Sequence, residues 1–200
     1  MQDALRRRRM VRNFEDRPVA RDLLATVVDA GRRAPSAGWT QGAEFIVLAE
    51  PSQVELFWET TTTPDWRRDN RSHAGARRAP AVVLPLAHAQ AYTSRYSEPD
   101  KAGSGLETEG AWPVPYWYVD CAFAVMAVLL AATDAGLGAL FMGVWRGEEE
   151  LLERLGVPNG RRLLGAVILG WPAPDEPSPS LARGRRPVTE VVHWGRYGGH

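Results

Sequence analysis

The sequence has few of the residues that most often build cross-links or metal sites. Of its 200 residues one is a cysteine and four are histidines, which excludes a disulfide within this chain and a multi-cysteine metal site. Cys121 lies in the apolar run CAFAVMAVLLAA, so we expect a buried structural thiol and not a nucleophile. The histidines lack the i, i+4 pairing and the nearby carboxylates of a zinc site. No metal is expected.

The chain also lacks a net charge and a long apolar segment. Its 24 basic and 24 acidic residues balance, so no overall field favours nucleic acid or an anionic membrane as a partner. The run from Cys121 to Ala132 is short of the roughly 20 residues that span a bilayer, and no apolar signal segment follows the basic N-terminus. These features predict a soluble, cytoplasmic protein.

Several familiar motifs are missing from the sequence. No GxGxxG follows a predicted strand and no GxxxxGK[ST] is present, which disfavours a Rossmann or P-loop nucleotide site. The segment GLGALFMG at 136–143 has the wrong spacing and follows a helix. There is no GxSxG elbow, and Ser36 in APSAG lacks the neighbours of an activated serine. Hydrolase and kinase functions are not indicated.

Arginine is the abundant cation, and it is concentrated near both ends. Lys101 is the only lysine, so nearly every basic side chain is a planar fork suited to bidentate contact with phosphate or carboxylate. Five arginines lie within 6–12, and three more lie within 183–186. If the two ends meet in space, they could clamp one phosphate through charge-assisted hydrogen bonds. A solvated surface is the alternative for each cluster.

Hydrophobic periodicity predicts alternating helices and strands. The predicted helices cover residues 3–9, 21–34, 51–59, 119–135 and 147–156. The predicted strands cover 44–50, 79–88 and 161–172, the last of them central in the sheet, with a short strand possible at 188–193. Pro85 within the second strand favours an edge position or a bulge. The order of elements indicates an α+β fold with a mostly antiparallel or mixed sheet.

Two long segments carry further expectations. Residues 89–118 show no clear period and are long for a connection, which predicts a lid or dimer arm inserted in a single domain spanning 1–200. The helix at 119–135 is apolar on nearly every face, which predicts burial all round. In a dimer the same helix could instead form the interface.

Segments along nearly the whole chain, in order, resemble the FMN-dependent nitroreductase superfamily. They are RRMVRNF (8–14), RPVARDLLATVVDAGRRAPSA (17–37), PSAGWTQGAEF (35–45), VDCAFAVMAVLLAATDAGLGALFMG (119–143), and the pair GVP…LLGAVILGWP (156–172) and RGRRPVTEVVHW (183–194). The resemblance implies a nitroreductase-like fold, with a mostly antiparallel sheet flanked by helices. It also implies an intertwined homodimer with FMN at its interface.

The resemblance further implies which residues bind the cofactor. Those implied to bind the FMN phosphate are Arg8, Arg9, Arg12, Arg183 and Arg185. Met10 stands where the family has a serine, which removes one hydroxyl contact. Those implied to lie along the flavin are Pro35, Ser36, Ala37, Gly38 and Gln41, with Trp39 in place of the family's asparagine. Met142 and Gly143 fall where the family directs a backbone N–H at flavin N5.

The implied activity is that of an FMN-dependent oxidoreductase. NAD(P)H would reduce FMN, and a nitroaromatic, quinone or similar electron-poor small molecule would then be reduced in the same pocket by a ping-pong mechanism. No catalytic side chain is implied, because the chemistry belongs to the flavin. Candidate substrate-pocket aromatics are Trp39, Trp112, Tyr116, Trp117 and Trp145; simple packing is the alternative for each. Two alternative functions stay open. Trp39 is compatible with a flavin-fragmenting or specialised biosynthetic enzyme, and Trp39 together with Met10 is compatible with a flavin-sequestering protein without turnover.

Overall fold

The computed structural model describes residues 2–70 and 74–199. Its helices are α1 Gln2–Arg7, α2 Arg21–Arg32, α3 Pro51–Thr61, α4 Pro64–Asp69, α5 Ala89–Tyr96, α6 Tyr116–Asp134 and α7 Glu148–Arg154. Its strands are β1 Ala43–Leu48, β2 Ala81–His88, β3 Gly138–Met142, β4 Arg161–Leu163 and β5 Ala166–Gly170. The predicted helices and the first two predicted strands are therefore present, with ends that differ by a few residues, whereas the strand predicted at 161–172 is divided into β4 and β5.

The strands form one antiparallel sheet in the order β1-β2-β5-β3, and β4 pairs with β2 beside β5. The predicted α+β class with a mostly antiparallel sheet flanked by helices is confirmed. β5 is central, as its continuous apolar sequence predicts. The strand β3 is an addition to the predicted order: it is only five residues long and begins at a glycine, which weakens its signal in the sequence.

The sequence predicts that Pro85 lies on an edge strand or at a bulge, and the strand order decides between these two alternatives. β2 lies between β1 and β5, so the edge position is wrong, but the ladder is interrupted opposite Pro85. β2 pairs with β5 up to Val83 and with β4 from Leu86 onward, and Leu164 N–H donates to the Pro85 carbonyl (3.1 Å). Because N–H and C=O of a strand residue point to the same side, the missing donor of Pro85 falls at this break.

Both faces of the sheet are covered, because side chains alternate along the central strands. Val82, Leu84 and Ile168 face one core cluster, which contains α3 and α7. Val83 and Leu169 face the other, which contains α2 and α6. Every one of these side chains is fully buried. The continuous apolar runs of β2 and β5 therefore reflect helices on both sides of the sheet.

The helix α6 is buried on one side only, so the predicted burial all round is wrong for this chain. α2 and the sheet cover one face, whereas Phe123 on the opposite face is 50% exposed. At 19 residues α6 is longer than its apolar core run. By length and composition it is the one described helix that could cross a membrane. Its buried face packs against α2 and the sheet.

Other parts of the chain also differ from the prediction. Residues 89–118 begin with α5 and contain two 3₁₀ turns, at Pro99–Lys101 and Glu109–Ala111, so they are not structureless. The lid or dimer-arm role of this segment stays a prediction. The strand considered at 188–193 is absent: Val188–Glu190 is a 3₁₀ turn in a largely exposed tail.

Candidate functional site

The first arginine segment lies beside the edge strand β3. Met10 bridges to Ala139 in parallel, and Val11 N–H donates to the Ala139 carbonyl (2.9 Å). The backbone N–H of Phe141 donates to Met10 Sδ (3.4 Å), which turns the Met10 side chain towards the sheet. Arg8 and Arg12 are half-buried, whereas Arg6 is exposed. The segment is thus held at its methionine, with arginines on either side.

Asp175 binds this segment from the residues that follow β5. Its Oδ2 accepts a hydrogen bond from the backbone N–H of Arg12 (2.7 Å) and forms an ion pair with the Arg9 guanidinium (3.3 Å). The Asp175 side chain is 9% exposed. Asp175 is not among the site residues proposed from the sequence. The only signal for it there is an acidic residue between prolines in WPAPDEP. Arg9 is therefore already paired with a carboxylate.

The C-terminal arginines do not join the N-terminal ones within the described part of one chain. Arg183 and Arg185 are exposed, and no hydrogen bond or ion pair is found for either among residues 2–70 and 74–199. Arg186 pairs with Glu190 in the same tail (3.2 Å). The N-terminal segment instead contacts the residues that directly follow β5, including Ala173, Pro174 and Asp175. The two-ended arginine clamp stays a prediction.

The segment from Pro35 to Gln41 has an unusual backbone. Gly38, Trp39 and Gln41 adopt left-handed conformations, with φ of 60°, 58° and 54°, and this region is unfavourable for a bulky residue such as tryptophan. Gln41 N–H donates to Ser36 Oγ (2.9 Å) across the turn. The Trp39 side chain is 72% exposed. Strained backbone of this kind persists where the surrounding structure enforces it, often at functional sites.

A buried carboxylate lies behind that segment. Asp120 on α6 is 4% exposed, and its Oδ2 accepts hydrogen bonds from Ala37 N–H and from the Tyr92 hydroxyl, both at 2.8 Å. Burial, followed by the bond to Asp120, raises the pKa of Tyr92 well above its usual range. Asp120 is not among the residues that the sequence analysis proposes for the site. The available signal is an acid within a buried helix, which must find partners.

An open cavity of about 290 Å³ lies at the end of β3. It is lined by Thr61–Thr63, Trp66, Asn70 and Met142–Arg146. A Cβ at Gly143 would lie 2.8 Å from the Trp145 ring, so the missing side chain of glycine lets that ring lie against the backbone of residue 143. Trp145 is 94% exposed. The volume is at the lower end of the range for small-molecule sites.

The sheet places the two implied flavin segments at opposite edges. Pro35–Gln41 leads into β1 at one edge, and Met142 and Gly143 end β3 at the other. The alternating strand directions put both at the same end of the sheet. Three strand spacings separate the edges, roughly 14 Å. No residue of Pro35–Gln41 lines the β3 cavity in this chain.

The remaining candidate aromatics form a cluster against α5. Trp112 and Trp117 are buried, and their rings lie 5.9 and 6.3 Å from that of Tyr92. The Tyr116 ring, 5.7 Å from Trp112, is partly exposed. Cys121 belongs to this cluster, and its expected burial as a thiol is confirmed. The substrate roles of these aromatics, of Trp39 and of Trp145 stay predictions.

These features define an α+β protein with helices on both faces of an antiparallel sheet and a strained loop and a cavity at one end. The chain matches the model of the nitroreductase family over residues 5–171 and belongs to that family. The resemblance inferred from the sequence motifs is thereby confirmed.

Individual relatives agree with this assignment. A protein of Archaeoglobus fulgidus with the provisional name NADH dehydrogenase/NAD(P)H nitroreductase is 27% identical over 82% of this chain and 81% of its own. A nitroreductase family protein from Clostridium difficile 630 shares the fold, with a TM-score of 0.70, 19% identity and 98% of each chain covered. A provisionally named nitroreductase from Desulfovibrio desulfuricans, solved in complex with FMN, has a TM-score of 0.67 and 23% identity, over 96% of this chain and 94% of its own.

Proposed function

We propose that this protein is an FMN-dependent oxidoreductase that uses NAD(P)H to reduce an electron-poor small molecule, such as a nitroaromatic or a quinone. The observation that carries the proposal is the β3 cavity, whose lining includes Gly143, the residue with the backbone N–H implied to face the flavin. Family membership and the FMN complex of the Desulfovibrio relative support the choice of cofactor.

The residues present fit a flavin mononucleotide. The lining of the β3 cavity includes apolar residues such as Met142 and Val144 and polar residues such as Asn70, the mixture typical of cofactor sites. Arg8 and Arg12 lie on the segment that bridges to the same strand at Ala139, and neither of them lines the cavity, so their role at the phosphate rests on the family resemblance. Arginine forks match the oxygens of a phosphate.

Each part of the chain then has a defined task. Arg8 and Arg12 would hold the phosphate, while Arg183 and Arg185 would need the tail to fold back over it. The Gly143 backbone would present an N–H to the ring system, and Trp39 would cover its face. When bound, FMN supplies the exchange of hydride between NAD(P)H and the acceptor. Reductant and acceptor would occupy the open cavity in turn, because the described residues provide one such opening at β3.

We also propose that the working unit is a homodimer, located in the cytoplasm. Pro35–Gln41 and the β3 cavity lie at opposite sheet edges in one chain, so a second copy could bring its loop against the first copy's cavity. The uncovered face of α6 around Phe123 and the exposed apolar side chains of the tail, such as Trp194, are surfaces that a second copy would bury.

Purification and steady-state kinetics test the proposed function. The protein should be yellow and should release FMN on denaturation. It should oxidise NAD(P)H with menadione or nitrofurazone as acceptor, giving the parallel double-reciprocal lines of a ping-pong mechanism. A colourless protein that does not take up added FMN contradicts the cofactor. A yellow protein without turnover supports a flavin-sequestering role instead.

Trp39 motivates a second candidate function, a flavin-fragmenting or specialised biosynthetic enzyme. The side chain is held outward on a strained backbone, so it is placed to cover a flavin rather than to support the core. Aerobic incubation of the protein with reduced FMN, followed by chromatography, distinguishes the two. Intact flavin rejects fragmentation, whereas a new aromatic product rejects simple acceptor reduction.

A further inference from the structure

The buried carboxylate of Asp120 has no role in the proposed function so far. A buried charge is unfavourable unless it is hydrogen-bonded. Within the described part of the chain Asp120 makes no ion pair, and its recorded partners are the backbone N–H of Ala37 and the hydroxyl of Tyr92, both bound to the same oxygen at 2.8 Å. The charge is therefore directed at the turn that contains Trp39.

The same turn is held by further contacts from α5. Arg95 Nε donates to the Gly38 carbonyl (2.9 Å), and the Arg95 fork binds both oxygens of Asp100 at 2.6 Å. The Tyr96 ring lies so close to Gly38 that a Cβ there would be 2.7 Å from it. Asp120 and α5 thus support the turn from the protein side, while Trp39 faces outward.

The left-handed residues explain why such support is needed. Trp39 and Gln41 have φ of 58° and 54°, a conformation that an unsupported loop of non-glycine residues would leave. A carboxylate that accepts a backbone N–H makes a short, charge-assisted bond. Asp120 fixes the nitrogen of Ala37 at the start of the turn, and Arg95 fixes the carbonyl of Gly38 one residue later.

We propose that Asp120, with Tyr92 as its second partner, is a positioning residue that holds the turn Ala37–Gln41 in the shape of a flavin-site wall. The inference rests on the proposed function for the identity of the ligand. Asp120 touches neither cofactor nor substrate in this role. It acts through the backbone of Ala37, and its loss leaves that N–H and the Tyr92 hydroxyl without their acceptor.

Hydrogen exchange and flavin affinity, measured on the full chain, test this inference. In Asp120→Leu, amide exchange of the peptide covering 35–42 should rise about tenfold, and the Kd for FMN should rise about tenfold as well, because one charge-assisted bond is lost. Asp120→Asn retains an acceptor oxygen and should restore both values to within about threefold of the parent. kcat at saturating FMN should change less than the Kd.

Val128→Ala is the matched control for lost stability. Val128 is fully buried on the same helix, in the cluster with α2, and is not bonded to the turn. This variant should lower Tm and leave both the exchange of 35–42 and the FMN Kd unchanged. Should Asp120→Leu not fold, Tyr92→Phe carries the comparison, since it removes one hydroxyl and keeps the ring that packs against Gly42.

The outcomes separate this inference from the proposed function. Unchanged exchange at 35–42 in Asp120→Leu overturns the positioning role. Faster exchange with an unchanged FMN Kd overturns the turn as a flavin wall. If the parent protein binds no FMN, the proposed function fails, while the exchange data still decide whether Asp120 holds the turn.

Discussion

At the scale of single residues, the arginines near the N-terminus are not equivalent. Arg6 is exposed on α1, Arg9 is paired with Asp175, and Arg12 is half-buried with a guanidinium bond to the Met10 carbonyl (3.3 Å). Arginines that lie close together in the sequence therefore differ in their exposure and in their bonding partners.

Replacing Arg12 by Ala should weaken FMN retention much more than replacing Arg6 by Ala. A hydrogen bond to a charged group contributes about 1.5–3 kcal/mol, which corresponds to roughly 10- to 150-fold in Kd. Arg6, on the exposed helix surface, should change the Kd by less than about twofold. Fluorescence titration of FMN into both variants measures the difference. Equal effects would place the phosphate away from Arg12.

Cys121 should be unreactive in the folded protein. Burial raises the pKa of its thiol to about 12, so the thiolate is scarce at pH 8. A disulfide reagent should titrate one thiol only after unfolding in urea. Because the pKa is raised in the folded state, the contribution of this thiol to the free energy of unfolding depends on pH. It is fully present below the unfolded-state pKa near 9 and is lost as the pH rises towards 12. Cys121→Ala should lack that component, and rapid labelling of native protein would contradict the burial.

At the scale of elements, the close crossing of α2 and α6 depends on Gly31. A Cβ at this position would lie 2.8 Å from Phe45 and from Val128, and 3.1 Å from the Ala124 carbonyl. The helices therefore approach closely because position 31 has no side chain. Neighbouring residues of α2 contribute the core face, including Leu24 and Val27.

Gly31→Ala should destabilise the protein although alanine favours helix formation. The helix propensity gain is about 1 kcal/mol, whereas an added methyl in a filled interface costs about 1–3 kcal/mol. Urea unfolding should show a net loss of free energy of unfolding. Gly110→Ala, which adds its methyl to open space, is the control and should be neutral within about 0.5 kcal/mol. A stabilised Gly31→Ala would show that α2 and α6 can separate.

At the scale of the whole molecule, the proposed homodimer would bring together the two parts of the proposed site. The strained turn and the β3 cavity lie at opposite edges of the sheet. Phe123 is half exposed on the uncovered face of α6 and is not among the side chains of the three core clusters found in the described residues. It is therefore a suitable point at which to disturb an interface without unfolding the chain.

Phe123→Asp should convert the protein to monomers and lower its FMN content together. A charge placed in an apolar contact is unpaired and desolvated, so association should weaken by at least about tenfold. Light scattering coupled to size exclusion measures the mass, and absorbance measures bound flavin. Tm of the monomer is the control for folding. A monomer that binds FMN stoichiometrically would contradict a shared site.

The fold follows from local features of the sequence to a large extent. The apolar stripe of α2, the long apolar stretch of α6 and the continuous apolar run of β5 each specify an element through neighbouring residues. The short elements α4, α5 and β3 carry weak local signals, and their place is set by packing partners distant in the chain. The break between β4 and β5 opposite Pro85 likewise depends on the pairing of strands.

The sequence alone determined the residue types available for function: arginines at both ends, the Pro35–Gln41 turn and the glycines that follow α6, in the order of the nitroreductase family. Only the tertiary structure decided how they are used. It joined Asp120 to Ala37 across 83 residues and Asp175 to Arg12 across 163. It also set the strained turn and the β3 cavity at opposite edges of the sheet. Such contacts depend on strand order and burial, which no local stretch of residues specifies.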